Sequence, residues 1–357
     1  MSDIVSLKES VLVYLDRSGG LQKLVEDCKP FHDPQRIEAV YRFSINVNPS
    51  DVIELDAELG DCVLHDPLRA TALFQSVCFL AIKTLSLVER IHTESQVNVN
   101  LKLTHLPPFP EYTLDLCSYP CVYKPMRPVF VQGLVIAMTR ITKYTQGARF
   151  LCVNEDCPCS TGFHHIRVHA PGATESATVR SDFSCMMCSS QLKEDMKFRV
   201  LGDKQLVELI DVKALDVLTS HQQSSLRYQS VTLFLRDELC NSMRIGQLYR
   251  VLGISAHVHQ WPNITCSVEA NSIQLWEPQC KVSARFLELL KATACSPWRF
   301  PAIVAHYFGV AIAPPGLYNT LKLTMLLSLV QTKAGAQDAL QSLDILAVTT
   351  DSLIVER

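Results

Sequence analysis

No stretch of this sequence stays apolar long enough to cross a bilayer. Its longest apolar runs, such as FLAIKTLSLV from Phe79, meet a charge well short of the roughly 18 residues a membrane span needs. The opening residues MSDIVSLKESVLVYLDRSGG mix acidic with apolar side chains and lack a basic segment or cleavage pattern, so they do not read as a secretory signal. Neither sign of charge dominates. With a formal net charge of -3 and 19% charged residues, a strongly basic nucleic-acid coat is excluded, while local basic faces remain possible. No internal repeat or low-complexity tract is evident. These absences point to a soluble, intracellular globular protein with no membrane partner. At 357 residues and 48% hydrophobic content it is long enough for two or three packed cores.

Cysteine is abundant instead. Of the 14 cysteines, five stand within 37 residues, in FLCVNEDCPCSTGF from Phe150 and FSCMMC ending at Cys188. In a reducing compartment clustered cysteines are more often metal ligands than disulfides. Cys185 and Cys188 form a C-x2-C knuckle that can present two thiolates to one tetrahedral Zn²⁺, and Cys152 with Cys157 supplies a looser C-x4-C arm. Cys159 is an alternative to Cys157, and His164 or His165 are alternatives to one of the sulfurs, because zinc accepts both ligand types. Four sulfurs are the favoured set. A closed four-ligand site leaves no position for water, so the metal would be structural. The scattered cysteines (Cys28, Cys62, Cys78, Cys117, Cys121, Cys240, Cys266, Cys280, Cys295) read as small buried hydrophobes.

The periodicity divides the chain. Residues 1–95 carry helical spacing in VSLKESVLVYLDR, DVIELDAELGDCVL and DPLRATALFQSVCFLAIKTLSLVERI, with Asp66 and Pro67 as cap and first helical position of the last. From Gln96 the period changes to two: VNVNLKLTHL, PVFVQGLVIAMTRITKY, then RFLCV leading into the cysteines. Strands resume after Cys188 in KFRVLGDKQLVELIDV, SVTLFLRDEL, QLYRVLGISAHVHQ and SIQLW. The pattern predicts a small barrel over 96–280 with the cysteine knot at about 150–190 as an excursion. Residues 281–357 turn helical (SARFLELLKATA, GLYNTLKLTMLLSLVQ) and finish on a strand-like LDILAVTTDSLIVER.

Helices, a barrel interrupted by a cysteine ribbon and a helical link resemble the amino-terminal half of minichromosome maintenance (MCM) helicase subunits. VFVQGLVIAMTRITKYTQGARFLC is similar to that family's strand pair entering its zinc ribbon, with Gly133, Phe150 and Cys152 in matching places. DKQLVELID keeps Gln205 and the acid at Asp211 of another family strand, but has Lys204 and Ile210 where an aromatic and a second Gln are usual. SVTLFLRDELCNSMRIGQLYRVLGI aligns Leu239, Gly246 and Gly253. HYFGVAIAPPGLYNTLKLTMLLSLVQ echoes the start of the family's ATPase domain at Pro314, Tyr318 and Lys322. The resemblance implies an α+β, multidomain chain: a helical bundle, an OB-fold barrel with an inserted zinc ribbon, then the start of a degenerate AAA+-like α/β domain.

The resemblance breaks where the P-loop should stand. Thr349 to Arg357 contains no Gly and no Lys, and Val355 and Glu356 stand near the places of Lys and Ser. Without glycines the backbone amides cannot wrap phosphates, and without Lys nothing reaches the β and γ phosphates. ATP is not expected as a cofactor. Such degeneration is similar to the family's divergent meiotic branch. That implies a noncatalytic nuclear factor in meiotic recombination and double-strand break repair, working through other MCM-like or recombination proteins. The alternative is a subunit of an active DNA-dependent ATPase whose ATP site is supplied elsewhere. A zinc-dependent enzyme is disfavoured, because no open ligand position or adjacent acid/base pair is visible.

Where the family projects a basic hairpin toward DNA, this chain has ISAHVHQWPNITCSVEANSIQLW, with His257, His259 and Trp261 but no Lys or Arg. Those three side chains read either as a stacking platform for a single strand or as a solvated strand face. The basic residues that would track a backbone are Arg140, Lys143 and Arg149 on the strand pair before the ribbon, with Lys124 and Arg127 in its approach.

Overall fold

The computed structural model describes residues 2–32, 38–116, 127–172, 175, 178–180, 182–212, 230–260, 263–276, 284–310, 313–331 and 345–348. The chain divides into two units, Met1–Glu277 and Pro278–Arg357.

The first unit begins with a helical lobe. Helix α1 (Ser2–Arg17) buries Leu7, Val11, Tyr14 and Leu15, positions that fall on one stripe of a 3.6-residue period. α2 (Gly20–Cys28) follows it. The segment DVIELDAELGDCVL is two helices, α3 (Pro49–Leu55) and α4 (Ala57–His65). They are split at Asp56, whose carboxylate accepts the amides of Glu58 at 2.9 Å and Leu59 at 3.2 Å. α5 (Pro67–Thr84) starts as its sequence predicts: the Asp66 carboxylate accepts the Arg69 amide at 3.0 Å, and Pro67 occupies the first turn.

Two strands depart from the expected division. YRFSINV, inside the block read as helical, forms β1 (Tyr41–Val47). VNVNLKL, read as the start of the barrel, forms β2 (Val97–Leu103) and pairs with β1 in parallel, Tyr41 opposite Val97 through Val47 opposite Leu103. A parallel pair requires a crossover, and α3, α4 and α5 are that crossover. Tyr41, Phe43, Ile45 and Val47 with Val97, Val99 and Leu103 turn into the helical core beside Phe74, Val77 and Ile82. Burial against the helices, not the period of its own residues, assigns β2 to this lobe.

The barrel is built from β3 (Pro128–Met138), β6 (Leu192–Ile210), β7 (Val231–Arg236), β8 (Leu248–Gln260) and β9 (Asn263–Leu275). The hydrogen-bonded order β3-β8-β9-β7-β6 closes through a further β3–β6 pairing, and β7–β9 is a parallel contact among antiparallel ones. Five strands closed in this Greek-key manner are the OB arrangement. Val129, Val131, Val207, Leu209, Leu233, Leu235, Val251 and Val268 fill the interior at period two. Closure depends on close backbone approach at two glycines. A Cβ on Gly133 would sit 2.5 Å from the Ile210 carbonyl oxygen, and one on Gly253, where the β8–β9 register shifts, 2.5 Å from that of Glu269.

Between β3 and β6 the chain leaves the barrel as β4 (Thr142–Cys152) and β5 (His165–Val168). β4 joins β6, pairing from Thr142–Lys204 to Cys152–Leu192, and β5 lies on the outer side of β4, from Gly147 opposite Val168 to Phe150 opposite His165. This arm carries the cysteines.

The second unit contains α6 (Ala284–Ala292), α7 (Arg299–Tyr307) and α8 (Asn319–Gln331). Lys322 is buried, its Nζ donating to the carbonyls of Ala313 at 3.1 Å and Pro314 at 3.3 Å. Of the strand expected from Leu343, residues 345–348 are described and form neither helix nor strand; Leu346 and Val348 are 90% and 88% exposed. A parallel strand of an ATPase sheet is buried by helices on both faces, and these residues are not. Thr349–Arg357 lie outside the described residues.

Candidate metal centre and nucleic-acid face

β4 ends at Cys152, and the turn after it is held by short local bonds. The Asp156 amide donates to Asn154 Oδ1 at 3.1 Å and the Cys157 amide to the Asn154 carbonyl at 3.1 Å. The second arm is a knuckle: the Cys185 amide donates to the Ser190 carbonyl at 2.8 Å and the Ser189 amide to the Cys185 carbonyl at 2.9 Å, with Ser189 left-handed at φ 57. Phe150 and Phe183 meet edge to face at 5.2 Å beneath the two arms.

The sulfurs of Cys152, Cys157, Cys185 and Cys188 all lie within 4.8 Å of one another. Cys152 to Cys188 is 3.3 Å and Cys157 to Cys185 is 3.8 Å. Tetrahedral zinc with Zn–S of about 2.3 Å spaces its sulfurs by about 3.8 Å, so the donor set fits that ion in number, element and spacing. Cys152, Cys157 and Cys185 are buried and Cys188 faces solvent. The hydroxyl and then the amide of Ser190 pull the Cys188 thiol down to about 6, whereas burial pushes Cys152 up to about 12. A bound cation would compensate the thiolates that burial alone disfavours, and its binding releases their protons.

Of the alternatives, His164 is exposed and joins neither cluster. Cys159 and His165 form a second set with Cys185, again with ligand atoms within 4.8 Å. Burial lowers the His165 pKa and raises that of Cys159 to about 11. Among the scattered cysteines, Cys28, Cys62 and Cys78 are buried as expected, Cys240 is half-buried and Cys295 exposed; Cys117, Cys121 and Cys280 lie outside the described residues.

Of the three basic residues proposed for nucleic acid, two are exposed and one is enclosed. Arg140 is exposed at the β3–β4 turn, and Lys143 is exposed with its Nζ 2.6 Å from Asp203. Arg149 is covered. Its guanidinium lies 4.5 Å from the Phe163 ring and 4.7 Å from Phe198, and 3.7 Å from the Asp195 carboxylate. Two phenylalanines, Phe163 from the bend before β5 and Phe198 from β6, turn an apparently solvated strand position into a cation–π sandwich. Arg127 is engaged with Glu111, donating to its carbonyl at 2.7 Å. Lys124 and Trp261 lie outside the described residues, while the backbone of His257 and His259 continues in the β8–β9 hairpin down to Gln260 opposite Asn263.

Sequence reasoning missed a buried polar group on the barrel. His169 Nε2 is 3.1 Å from a Glu269 carboxylate oxygen, and that carboxylate also accepts the Gly172 amide at 3.0 Å. Arg236 lies 3.6 Å from Glu269 and 3.0 Å from Glu175, which is also paired with Lys204 at 2.9 Å.

Residues 7–106 match a family model described as MCMDC2, N-terminal domain. The chain is 54% identical over 99% of its length to minichromosome maintenance domain-containing protein 2 of Homo sapiens, covering 52% of that protein. It is 52% identical to the protein of that name from Mus musculus, over 99% of this chain and 52% of the relative. The chain thus spans about half the length of the curated relatives it matches. Among solved structures, the N-terminal domain of an archaeal MCM superposes with a TM-score of 0.54 at 13% identity, covering 77% of this chain and 100% of that one. That likeness establishes the fold.

Proposed function

The chain has the amino-terminal half of a minichromosome maintenance family protein, and from that premise we propose that it acts without a catalytic centre of its own. In this reading it is a nuclear factor in meiotic homologous recombination and double-strand break repair, joining other MCM-like or recombination proteins. Its helical, ribbon and barrel surfaces make those contacts, with modest affinity for single-stranded DNA. The observation that carries the reading is the closed set of four thiols on an arm leaving the barrel. Cys152, Cys157, Cys185 and Cys188 hold one structural zinc, which fixes the shape of the arm and offers no ligand position for a reacting water. The absence of Gly and Lys from Thr349–Arg357 supports the noncatalytic assignment.

The test is recovery of tagged protein from meiotic nuclei, with co-purifying chains identified by mass spectrometry. MCM-like or recombination proteins should accompany the wild type and be depleted by Cys157→Ser. Recovery from the cytoplasm alone, or with no such partners, overturns the reading. Micromolar binding of Mg-ATP by the purified chain would favour the alternative of an ATPase subunit.

A further inference from the structure

The cysteine arm holds more donors than one zinc uses. Cys159 and His165 belong to neither arm of the four-thiol set, yet both stand beside its most enclosed member. Cys159, His165 and Cys185 form a three-donor group whose ligand atoms lie within 4.8 Å of one another, and Cys185 is common to both groups. His165 Nε2 is 3.4 Å from Cys185 Sγ. A nitrogen and a sulfur on one tetrahedral zinc, at about 2.0 Å and 2.3 Å from the ion, are separated by about 3.5 Å. That spacing, like the 3.8 Å between Cys157 and Cys185, suits a shared ion.

The geometry points to a second divalent metal site, made by Cys159, His165 and a bridging Cys185 thiolate, and adjoining the four-thiol site. The inference rests on the reading of that four-thiol set as a zinc site. A thiolate about 2.3 Å from each of two ions holds them about 3.5 Å apart, a normal spacing for paired metals. Charge supports the pairing. Four thiolates around one Zn²⁺ leave a net -2, whereas the five thiolates of the two sets around two Zn²⁺ leave -1, which is easier to hold in a partly buried place. Cys159 loses its proton on binding, and His165 binds as the neutral imidazole. With three protein donors the second ion keeps one open position, unlike the first. It is therefore the more exchangeable ion of the pair, and zinc or another thiolate- and imidazole-preferring divalent ion is the class it takes.

The test counts metal in the purified 357-residue chain after saturation with zinc and removal of excess, by elemental analysis and native mass spectrometry. Two ions per chain are expected, falling to one in both Cys159→Ser and His165→Ala, and a zinc–zinc vector near 3.5 Å should appear in the X-ray absorption of the wild type. One ion in the saturated wild type overturns the second site whatever the variants do. Two ions unchanged by both substitutions also overturn it, as does loss of all metal in Cys159→Ser, which would make Cys159 a ligand of a single site. No ion at all in folded wild type would instead remove the four-thiol reading.

Discussion

Arg42, on β1 of the helical lobe, is bound by Asp237, on the turn that follows barrel strand β7, 195 residues away. The same carboxylate accepts Tyr144 Oη at 3.1 Å, Gln146 Nε2 at 3.1 Å and the Asp203 amide at 3.1 Å. Asp237 has a left-handed backbone at φ 48, a conformation tolerated by aspartate better than by most residues. Beside it, Lys102 on β2 meets Glu238 at 2.8 Å. Both strands of the parallel pair are thus tied by charge to one turn of the barrel.

The consequence is measurable. Replacing Asp237 by Ala leaves a mostly covered Arg42 unpaired and removes three further acceptor contacts, so it should cost about 2–4 kcal/mol. Arg42→Ala, which leaves Asp237 its three neutral donors, should cost less. Denaturant unfolding of both variants checks the order. Equal losses below about 0.5 kcal/mol would show that the turn does not tie the lobe to the barrel.

This tie also shows where sequence reading stops. Alternation over VFVQGLV and VTLFL identifies strands because each buries one face, and Gly133 and Gly253 stand out because the barrel closes over them. The cysteine set is readable because any tetrahedral metal site asks for paired ligands at short spacing within each arm, and the four sulfurs do converge. The placement of Val97–Leu103 is not readable, since its alternation is the same whether its partner is a barrel strand or Tyr41–Val47. Nor is the fate of Arg149: its position on β4 says only which side of the sheet it faces, while Phe163 and Phe198, supplied by other segments, decide whether water reaches it. His169 and Glu269 are 100 residues apart and carry no local signal of pairing.

That pair gives a pH prediction. Burial alone would raise the Glu269 pKa, but the hydrogen bond and charge of His169, with Arg236 and the Gly172 amide, outweigh it and hold it below the usual glutamate value of 4.5. A carboxyl depressed in the folded state contributes stability that is fully present above its unfolded pKa and is lost as pH falls through the folded one. The wild type should therefore lose melting temperature below about pH 4.5. Glu269→Gln should be less stable at pH 7 by about 2–4 kcal/mol, because it leaves the buried Arg236 underpaired, and should show a shallower acid limb. Parallel acid limbs in the two proteins would remove Glu269 as a source of the pH dependence.

Metal removal should act locally. Cys152, Cys157, Cys159 and Cys185 form a small core of their own with Ala148, Phe150 and Leu192, Phe183 packing against it, separate from the cores of the barrel and the lobe. Chelation, or Cys157→Ser, should therefore expose amides of the arm to hydrogen exchange while the strands of the barrel keep their protection. Collapse of protection throughout the first unit would show instead that the arm is required for the barrel to fold.

The nucleic-acid reading becomes sharper once Arg149 is seen to be enclosed. Only Arg140 and Lys143 of the proposed trio offer charge to solvent, and Lys143 must first give up Asp203. Two neutralised phosphates at roughly -0.7 each predict a slope of log affinity against log salt near -1.4 for single-stranded DNA. Arg140→Glu with Lys143→Glu should abolish the low-salt binding without changing stability. Arg149→Glu should do the reverse: it places a carboxylate against Asp195 between two aromatic rings, so it should lower the melting temperature and, in protein that remains folded, leave the salt slope unchanged. Fluorescence anisotropy of a labelled oligonucleotide over a salt series separates these outcomes, and a steeper wild-type slope that Arg149→Glu reduces in folded protein would show that Arg149 reaches DNA after all.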